Sequence, residues 1–305
     1  MNEVEYSVVV PVFNSSPLLN ELFDRLSAVL GGTGKPYELI FVDDGSMDGS
    51  WEVLKGIKAD HPGTVKAIKL SKNFGQHNAT FCGFNFMTGN WLITIDDDLQ
   101  NPPEEILRLI TAQSEADADL VYGIYDKKQH SFVRNLGSKY VKKTSRILGR
   151  PGEGSAFRLI SRDIVQKILM HHQNFVFIDE LLSWYTDNIC FVKVLHEKRK
   201  VHRSGYSTRK LWGLVSNLLI YYTTVPLKIM TYGGFISSAI FMVLSAIFAV
   251  KKIFFNVPLG YTSLIVAILF STSLILFCLG IIGEYLSRLY LVQNKKPPYS
   301  IKKVI

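Results

Sequence analysis

The chain opens on short apolar runs, each closed by polar residues. Residues 7–13 read Ser-Val-Val-Val-Pro-Val-Phe and end in Asn14-Ser15-Ser16-Pro17, which predicts a buried strand followed by a helix cap. Leu18, Leu22, Leu26 and Val29 then recur at helical spacing. Residues 38–42 predict a second strand, closed by Asp43-Asp44-Gly45-Ser46-Met47-Asp48-Gly49-Ser50, and residues 65–70 a third. Residues 78–87 fit a helix and 91–95 a fourth strand, which runs into Asp96-Asp97-Asp98. Strands alternating with helices point to an α/β fold with a mostly parallel, doubly wound sheet.

The last third of the chain has a different pattern. Residues 231–250 and 261–282 are apolar and contain no charged residue, and each is close to the ~20 residues that cross a bilayer. They predict a two-helix transmembrane hairpin joined by 251–260. The expected organisation is a catalytic domain over 1–207, a juxtamembrane amphipathic helix over 208–230, the hairpin within 231–290 and a basic tail over 291–305. Leu211, Trp212, Leu214, Val215, Leu218, Leu219 and Tyr222 give the juxtamembrane segment its apolar face.

Charge refines this picture. The chain has 305 residues and a net charge of +8. Its basic residues gather beside the apolar stretches, with Arg209, Lys210 and Lys228 before them, Arg288, Lys295, Lys296, Lys302 and Lys303 after, and Lys251 and Lys252 between, which weaken the bias without reversing it. Anionic lipid headgroups explain that placement better than nucleic acid does. The positive-inside rule places both termini in the cytoplasm, so the expected location is a bacterial inner membrane. No signal peptide opens the chain: the acidic residues 1–5 lead directly into a strand. Cys82, Cys190 and Cys278 show no metal spacing and read as reduced thiols.

In doubly wound sheets ligands bind at the carboxyl ends of strands. Asn14, Asp43-Asp44, Lys72-Asn73 and Asp96-Asp97-Asp98 all fall at such ends. There is no Gly-x-Gly-x-x-Gly after the first strand and no Walker-type loop, which argues against a dinucleotide oxidoreductase and a P-loop kinase. Three adjacent carboxylates repel one another, whereas hard Mg²⁺ or Mn²⁺ favours one or two carboxylates together with phosphate oxygens and water. On an extended segment Asp96 and Asp98 point the same way and Asp97 the other. The plain alternative is a solvated acidic turn that caps the next helix.

The segments 9–14, Asp43-Asp44-Gly45-Ser46-x-Asp48 and Asp96-x-Asp98-Leu-Gln-x-Pro-Pro-Glu resemble glycosyltransferase family 2, with a GT-A (nucleotide-diphospho-sugar transferase) fold. Residues 73–79, Asn-Phe-Gly-Gln-His-Asn-Ala, and 283–290, Gly-Glu-Tyr-Leu-Ser-Arg-Leu-Tyr, are similar to the polyprenyl-phosphate glycosyltransferases, a group that extends to dolichyl-phosphate mannose synthase. The resemblance implies that Pro11, Phe13 and Asn14 line a nucleotide pocket and that Asp43, with Asp44 beside it, meets the base or ribose. It implies that Asp96 and Asp98 hold the metal, Asp98 most directly, while the role of Asp97 is open. Asn73, Gln76 and His77 are candidates for the donor sugar.

On the acceptor side, Arg199, Arg203, Ser204 and Tyr206 match the family's basic loop, although His202 stands where glycine is common. A juxtamembrane stripe that touches only headgroups is the alternative. Arg158 is a candidate for the lipid phosphate or else a structural ion pair. Glu153 and the Asp179-Glu180 pair are candidates for the acid that orients or deprotonates the acceptor, the pair serving otherwise as a helix-start charge. The expected function is inverting transfer of one sugar from a nucleotide-diphosphate sugar, most simply a UDP-sugar, to a polyprenyl phosphate such as undecaprenyl phosphate. A glycolipid or polysaccharide synthase and a non-catalytic membrane accessory protein are the alternatives; homo-oligomerisation is left open.

Overall fold

Every residue of the first strand, β1 (Tyr6–Val12), is buried, as its unbroken apolar run requires of a strand covered on both faces. A computed structural model of the chain describes residues 4–125, 155–170, 177–197, 260–293 and 297–305, and the single positions 232, 233, 236, 240, 243, 247, 250 and 254. From β1 the chain passes through α1 (Leu19–Gly32), β2 (Tyr37–Asp43), α2 (Ser50–Asp60), β3 (Val65–Leu70), α3 (Gln76–Phe84) and β4 (Trp91–Thr94). A single 3₁₀ turn, Pro103–Glu105, leads into α4 (Ile106–Ala116) and β5 (Leu120–Ile124). Further along lie β6 (Arg158–Ser161), α5 (Arg162–Leu169), α6 (Ile178–Tyr185), β7 (Ile189–Lys193), α7 (Tyr261–Gln293) and β8 (Ile301–Val304).

The strands form one sheet in the order β7-β5-β6-β4-β1-β2-β3-β8. The predicted parallel core is present, since β4-β1-β2-β3 pair parallel. The rest of the sheet is more mixed than predicted: β6 runs antiparallel between β4 and β5, and β8 runs antiparallel on β3.

Alternation along β1 divides the core into two apolar layers. Val8, Val10 and Val12 pack with Leu19, Leu22 and Leu26 of α1 and with Leu54 of α2. Val9 packs on the other face with Ile40, Val42, Ala79 and Phe84. Each such buried side chain contributes about 1.5–3 kcal/mol.

One feature of register frees the chain after β4. β1 pairs with β4 only through Tyr6 to Val9 and then continues alone on that side to Val12. Pro11, which has no N–H to donate, sits in this overhang, where no β4 partner needs one. The chain beyond β4 is thereby free to turn away and carry the acidic run.

The tail set apart at 291–305 is not a separate appendage. Residues Lys296–Ile305 belong to the same folded unit as Met1–Gly205, while Tyr206–Lys295 form a second unit. The Ile305 amide and carbonyl exchange hydrogen bonds with Ala67 at 2.9 and 3.0 Å, and Ser71 N–H donates to the Ser300 carbonyl at 2.9 Å. Tyr299 places its ring edge-on to Phe81, and its hydroxyl accepts from Asn85 Nδ2 at 2.9 Å. Burial raises the Cys82 thiol to about 12, so it stays protonated.

In the second unit, α7 has 33 residues, on the order of 50 Å at the α-helical rise. It continues past the predicted end at residue 282 to Gln293 because Glu284, Ser287 and Arg288 are polar without breaking a helix. Among the described residues no helix is long and apolar enough to cross a membrane, so the expected hairpin is not carried by them. The sequence of α7 nevertheless has no charge between Tyr261 and Gly283. The predicted first span at 231–250 and the amphipathic segment at 208–230 lie largely or wholly outside the described residues.

Candidate active site

Four chain segments meet at the carboxyl ends of β1 to β4, and hydrogen bonds from acidic and hydroxyl side chains tie them together. Beyond β1, Asn14 adopts a left-handed conformation, with φ at 54°, which asparagine tolerates. Its N–H donates to Ser46 Oγ at 3.0 Å, and its Oδ1 accepts from Met47 N–H at 2.9 Å. Asp48 accepts from Ser16 N–H and from Ser50, its carboxyl held below the ordinary range by these bonds against the opposing effect of burial. The predicted pocket residue Asn14 is therefore a brace that shapes the loop after β2. Pro11 is buried within β1, whereas Phe13 is 47% exposed at the strand end.

The two acids after β2 have different roles. Asp43 is fully buried; Oδ1 accepts from Ser46 N–H at 3.0 Å, and Lys69 Nζ stands 3.8 Å from Oδ2. Asp43 Oδ2 has no hydrogen-bond partner, so an acceptor is left for a donor group of a ligand. Asp44, expected to bind substrate, instead accepts from Phe74 N–H at 2.7 Å and Gly75 N–H at 2.8 Å and organises the loop after β3. Burial, only partly offset by these bonds, raises its carboxyl to about 6. Gly45 makes this close approach possible. Its φ is +73°, and a Cβ there would lie 2.7 Å from the Lys72 carbonyl carbon.

Beyond β4, which ends at Thr94, the three acids make different contacts, with Asp97 and Asp98 in a turn. Asp97 turns back to accept from Phe13 N–H at 2.9 Å and from Ser15 Oγ at 2.6 Å. It clamps the β1 and β4 loops together through Oδ2. Some of its surface reaches solvent, yet the protein encloses the carboxylate closely enough that burial raises it to about 6. Asp98 Oδ1 accepts from Gln100 N–H at 3.1 Å. Gln76 at the start of α3 donates its side-chain amide to Asp96, and Asn73 is exposed nearby in sequence. Asp96 and Asp98 both retain solvent exposure, and both raise the Tyr125 phenol by their charge, after burial, so the two carboxylates share that neighbour.

Tyr125 and His196 were not legible as site residues in the sequence. Their rings stack 4.0 Å apart at 7°. Burial lowers the His196 imidazole while the charge of Asp98 opposes that shift. Glu197 N–H donates to the Gln100 carbonyl at 2.8 Å, joining the chain after β7 to the acidic loop. No spacing rule links positions 98, 125 and 196; the sheet order alone brings them together.

On the expected acceptor side, two assignments change. Arg158 is 3% exposed and Asp179 2%. Arg158 Nη2 lies 2.9 Å from Asp179 Oδ1, which also accepts from Tyr122 Oη at 3.0 Å. Asp179 is thus a buried partner and not an accessible catalytic acid, and Arg158 is not free for a lipid phosphate. Glu180, next in the chain, is the part-exposed acid, its carboxyl raised by burial and by Asp179. Burial lowers the His77 imidazole to about 4, so it is neutral near pH 7. Glu153, Arg199, Arg203, Ser204 and Tyr206 lie outside the described residues.

The set suits a divalent cation with hard oxygen donors. Two accessible carboxylates leave coordination positions for phosphate oxygens and water, as Mg²⁺ and Mn²⁺ prefer. Among the described residues there is no group of three or more His, Cys, Asp or Glu that would hold a metal by protein ligands alone.

Comparison with known proteins agrees with this geometry. Residues 7–169 match the family model described as glycosyl transferase family 2. An undecaprenyl-phosphate 4-deoxy-4-formamido-L-arabinose transferase from Enterobacter sp. (strain 638) is 33% identical over 308 aligned positions, covering 98% of this chain and 93% of the relative. The protein of that name from Serratia proteamaculans (strain 568) is equally similar. Mannosyl-3-phosphoglycerate synthase from Rubrobacter xylanophilus shares the fold at a TM-score of 0.51 and 16% identity, over 75% of each chain. Glucosyl-3-phosphoglycerate synthase from Mycobacterium tuberculosis, solved with Mn²⁺, UDP and glucosyl-3-phosphoglycerate, shares it at 0.50 and 18% identity, over 71% of this chain and 78% of that one. With a family match across the sheet and similarity along nearly its whole length, the chain belongs to glycosyl transferase family 2.

Proposed function

We propose that this glycosyltransferase moves a single sugar from a nucleotide-diphosphate sugar to undecaprenyl phosphate, with inversion, for modification of the cell envelope. The observation that carries the reading is the joint presence of two part-exposed carboxylates, Asp96 and Asp98, and a buried oxygen of Asp43 that accepts no hydrogen bond, with Lys69 Nζ 3.8 Å away, at neighbouring strand ends. The near full-length relatives, named as undecaprenyl-phosphate transferases, support the acceptor. The Mn²⁺ and UDP bound by a fold neighbour support a metal and a uridine nucleotide.

Asp96 and Asp98 would hold Mg²⁺ or Mn²⁺, and Asp43 would accept from the base or ribose. The cation supplies neutralisation of charge on the departing diphosphate. Gln76 holds Asp96 in orientation, and Asp97 keeps the β1 loop against the acidic loop. A lipid phosphate is already anionic at neutral pH, so its oxygen needs less help from a general base than a sugar hydroxyl does.

The membrane hairpin belongs to the same proposal. The uncharged stretch of residues 261–283 within α7 supports one span and residues 231–250 the other. Residues on both sides of the second unit belong to the first. A chain that leaves and re-enters one folded unit crosses a bilayer an even number of times, which favours a hairpin over a single span. The basic flanks favour a catalytic unit on the cytoplasmic face of a bacterial inner membrane.

Incubation with UDP-, GDP- and dTDP-sugars and undecaprenyl phosphate, read by mass spectrometry of the lipid product, tests the reading. The expected product carries one sugar on the lipid phosphate. A growing glycan, or a sugar on a lipid hydroxyl, would replace this reading with a synthase.

A further inference from the structure

The Arg158–Asp179 pair invites a question that stability does not answer. Each buried ion loses several kcal/mol of hydration, and well-packed apolar residues are often as stabilising as such a pair. Here the compensation is also incomplete: Arg158 Nε and Asp179 Oδ2 are both buried without a hydrogen-bond partner. The charged pair is therefore a poor choice if packing were its only purpose.

Its placement suggests another one. Arg158 stands opposite Thr94 in the β4–β6 register, two residues before Asp96. Tyr122 on β5 donates to the same Asp179 oxygen, and the Arg158 guanidinium lies 5.8 Å from the centre of the Tyr122 ring. Asp179 is the second residue of α6, so its bonds fix where the first turn of that helix sits on the sheet. Phe177, immediately before α6, places its ring 4.9 Å from that of His77. His77 follows Gln76, whose side-chain amide donates to Asp96. A line of side-chain contacts and chain neighbours thus runs from the buried pair through Phe177 and the start of α3 to an acid of the acidic loop.

We propose that Arg158 and Asp179 are positioning residues. Their buried bond fixes the first turn of α6 and, through the Phe177–His77 contact, the Gln76 amide that orients Asp96. The pair touches no substrate. Breaking it would let the start of α6 shift, withdraw Phe177 from His77 and loosen the start of α3, a displacement small in distance and large in consequence for a site that depends on orientation. The importance of Asp96 rests on the preceding reading of it as a metal-holding acid.

The test uses the full-length chain in detergent micelles. The double variant Arg158→Met/Asp179→Leu replaces the pair with apolar side chains of similar size. It is expected to keep the wild-type melting temperature, as such replacements often do. Hydrogen exchange of the amides of Asn78 to Phe81 is expected to accelerate about fivefold or more, confined to this segment. Arg158→Lys, which keeps the charge, is expected to recover part of the protection. Unchanged exchange at these amides in a folded double variant would overturn the proposal and leave the pair a packing feature. If the double variant does not fold, Tyr122→Phe, which removes only one hydroxyl, decides by the same measurement and in the same direction. Calorimetric titration with UDP and Mn²⁺ runs in parallel, with affinity expected to fall about tenfold in the folded variants. Failure of the wild type to bind UDP with Mn²⁺ would count against the functional reading, while the exchange result still judges the positioning role.

Discussion

At the residue scale, neighbours with the same chemistry have divergent roles. Asp43 keeps one oxygen without a hydrogen bond, whereas Asp44 spends both on the Phe74 and Gly75 amides. Asp97 binds Phe13 and Ser15 of the β1 loop, whereas Asp96 accepts from Gln76 and Asp98 from Gln100. The second division matches the expected one, yet Asp97 and Asp98 lie in a turn beyond β4, so the bonds of Asp97 to Phe13 and Ser15 produce it and not a strand period. The first was not legible beforehand, because β2 ends at Asp43 and no period extends into a turn. Titration offers a test at this scale. His77 has a folded-state pKa of about 4, below its ordinary 6.5, through burial, with the Arg158 charge adding and the Asp179 charge opposing. The unfolded chain therefore binds more protons between these values, and the His77 contribution to stability falls as pH drops from 6.5 to 4. Asp44 and Asp97, raised to about 6, act oppositely: their contributions fall as pH rises from about 4 to 6. Comparing His77→Gln with wild type cancels those shared terms. The melting temperature of the variant, relative to wild type, is expected to rise as pH is lowered through that window. A difference independent of pH would show that His77 is not buried as a neutral ring.

At the element scale, the chain end is part of the fold. β8 covers the edge of β3 with backbone hydrogen bonds, and Tyr299 packs against Phe81. An uncovered β3 would present a pairing edge to other chains. Ending the chain at Lys296 removes these contacts, a loss of about 2–4 kcal/mol from a few hydrogen bonds and one aromatic pair. Thermal unfolding of the shortened chain is expected several degrees below wild type, with greater aggregation. Equal melting curves would reduce β8 to a passive addition. The four strands of the parallel core and the helices between them were legible because each is a continuous periodic run. β8 was not: Ile301-Lys302-Lys303-Val304 is short and half basic, so composition alone assigns it to a tail. Helix α3 begins at Gln76, two residues earlier than expected, because Gly75 and not the apolar pattern sets its start.

At the scale of the whole molecule, the sheet gathers groups that no local pattern connects. Asp98, Tyr125 and His196 come from the ends of three strands far apart in sequence. The Arg158–Asp179 pair likewise joins a strand to a helix that composition gave no reason to associate. What the sequence made plain was the donor side, where each acid follows an apolar run. The account depends on a cation held by Asp96 and Asp98 acting on a donor diphosphate beside a lipid acceptor. The most direct measurement is nucleotide release by the purified chain, with undecaprenyl phosphate and its donor sugar, across Mg²⁺ or Mn²⁺ concentrations, for wild type and Asp98→Asn. Release by the wild type is expected only with both the metal and the lipid, and the variant is expected to be slower by about 10²–10³-fold, the scale seen when one preorganised electrostatic group is removed. Release that persists in chelator, or that is undiminished in Asp98→Asn, would contradict it.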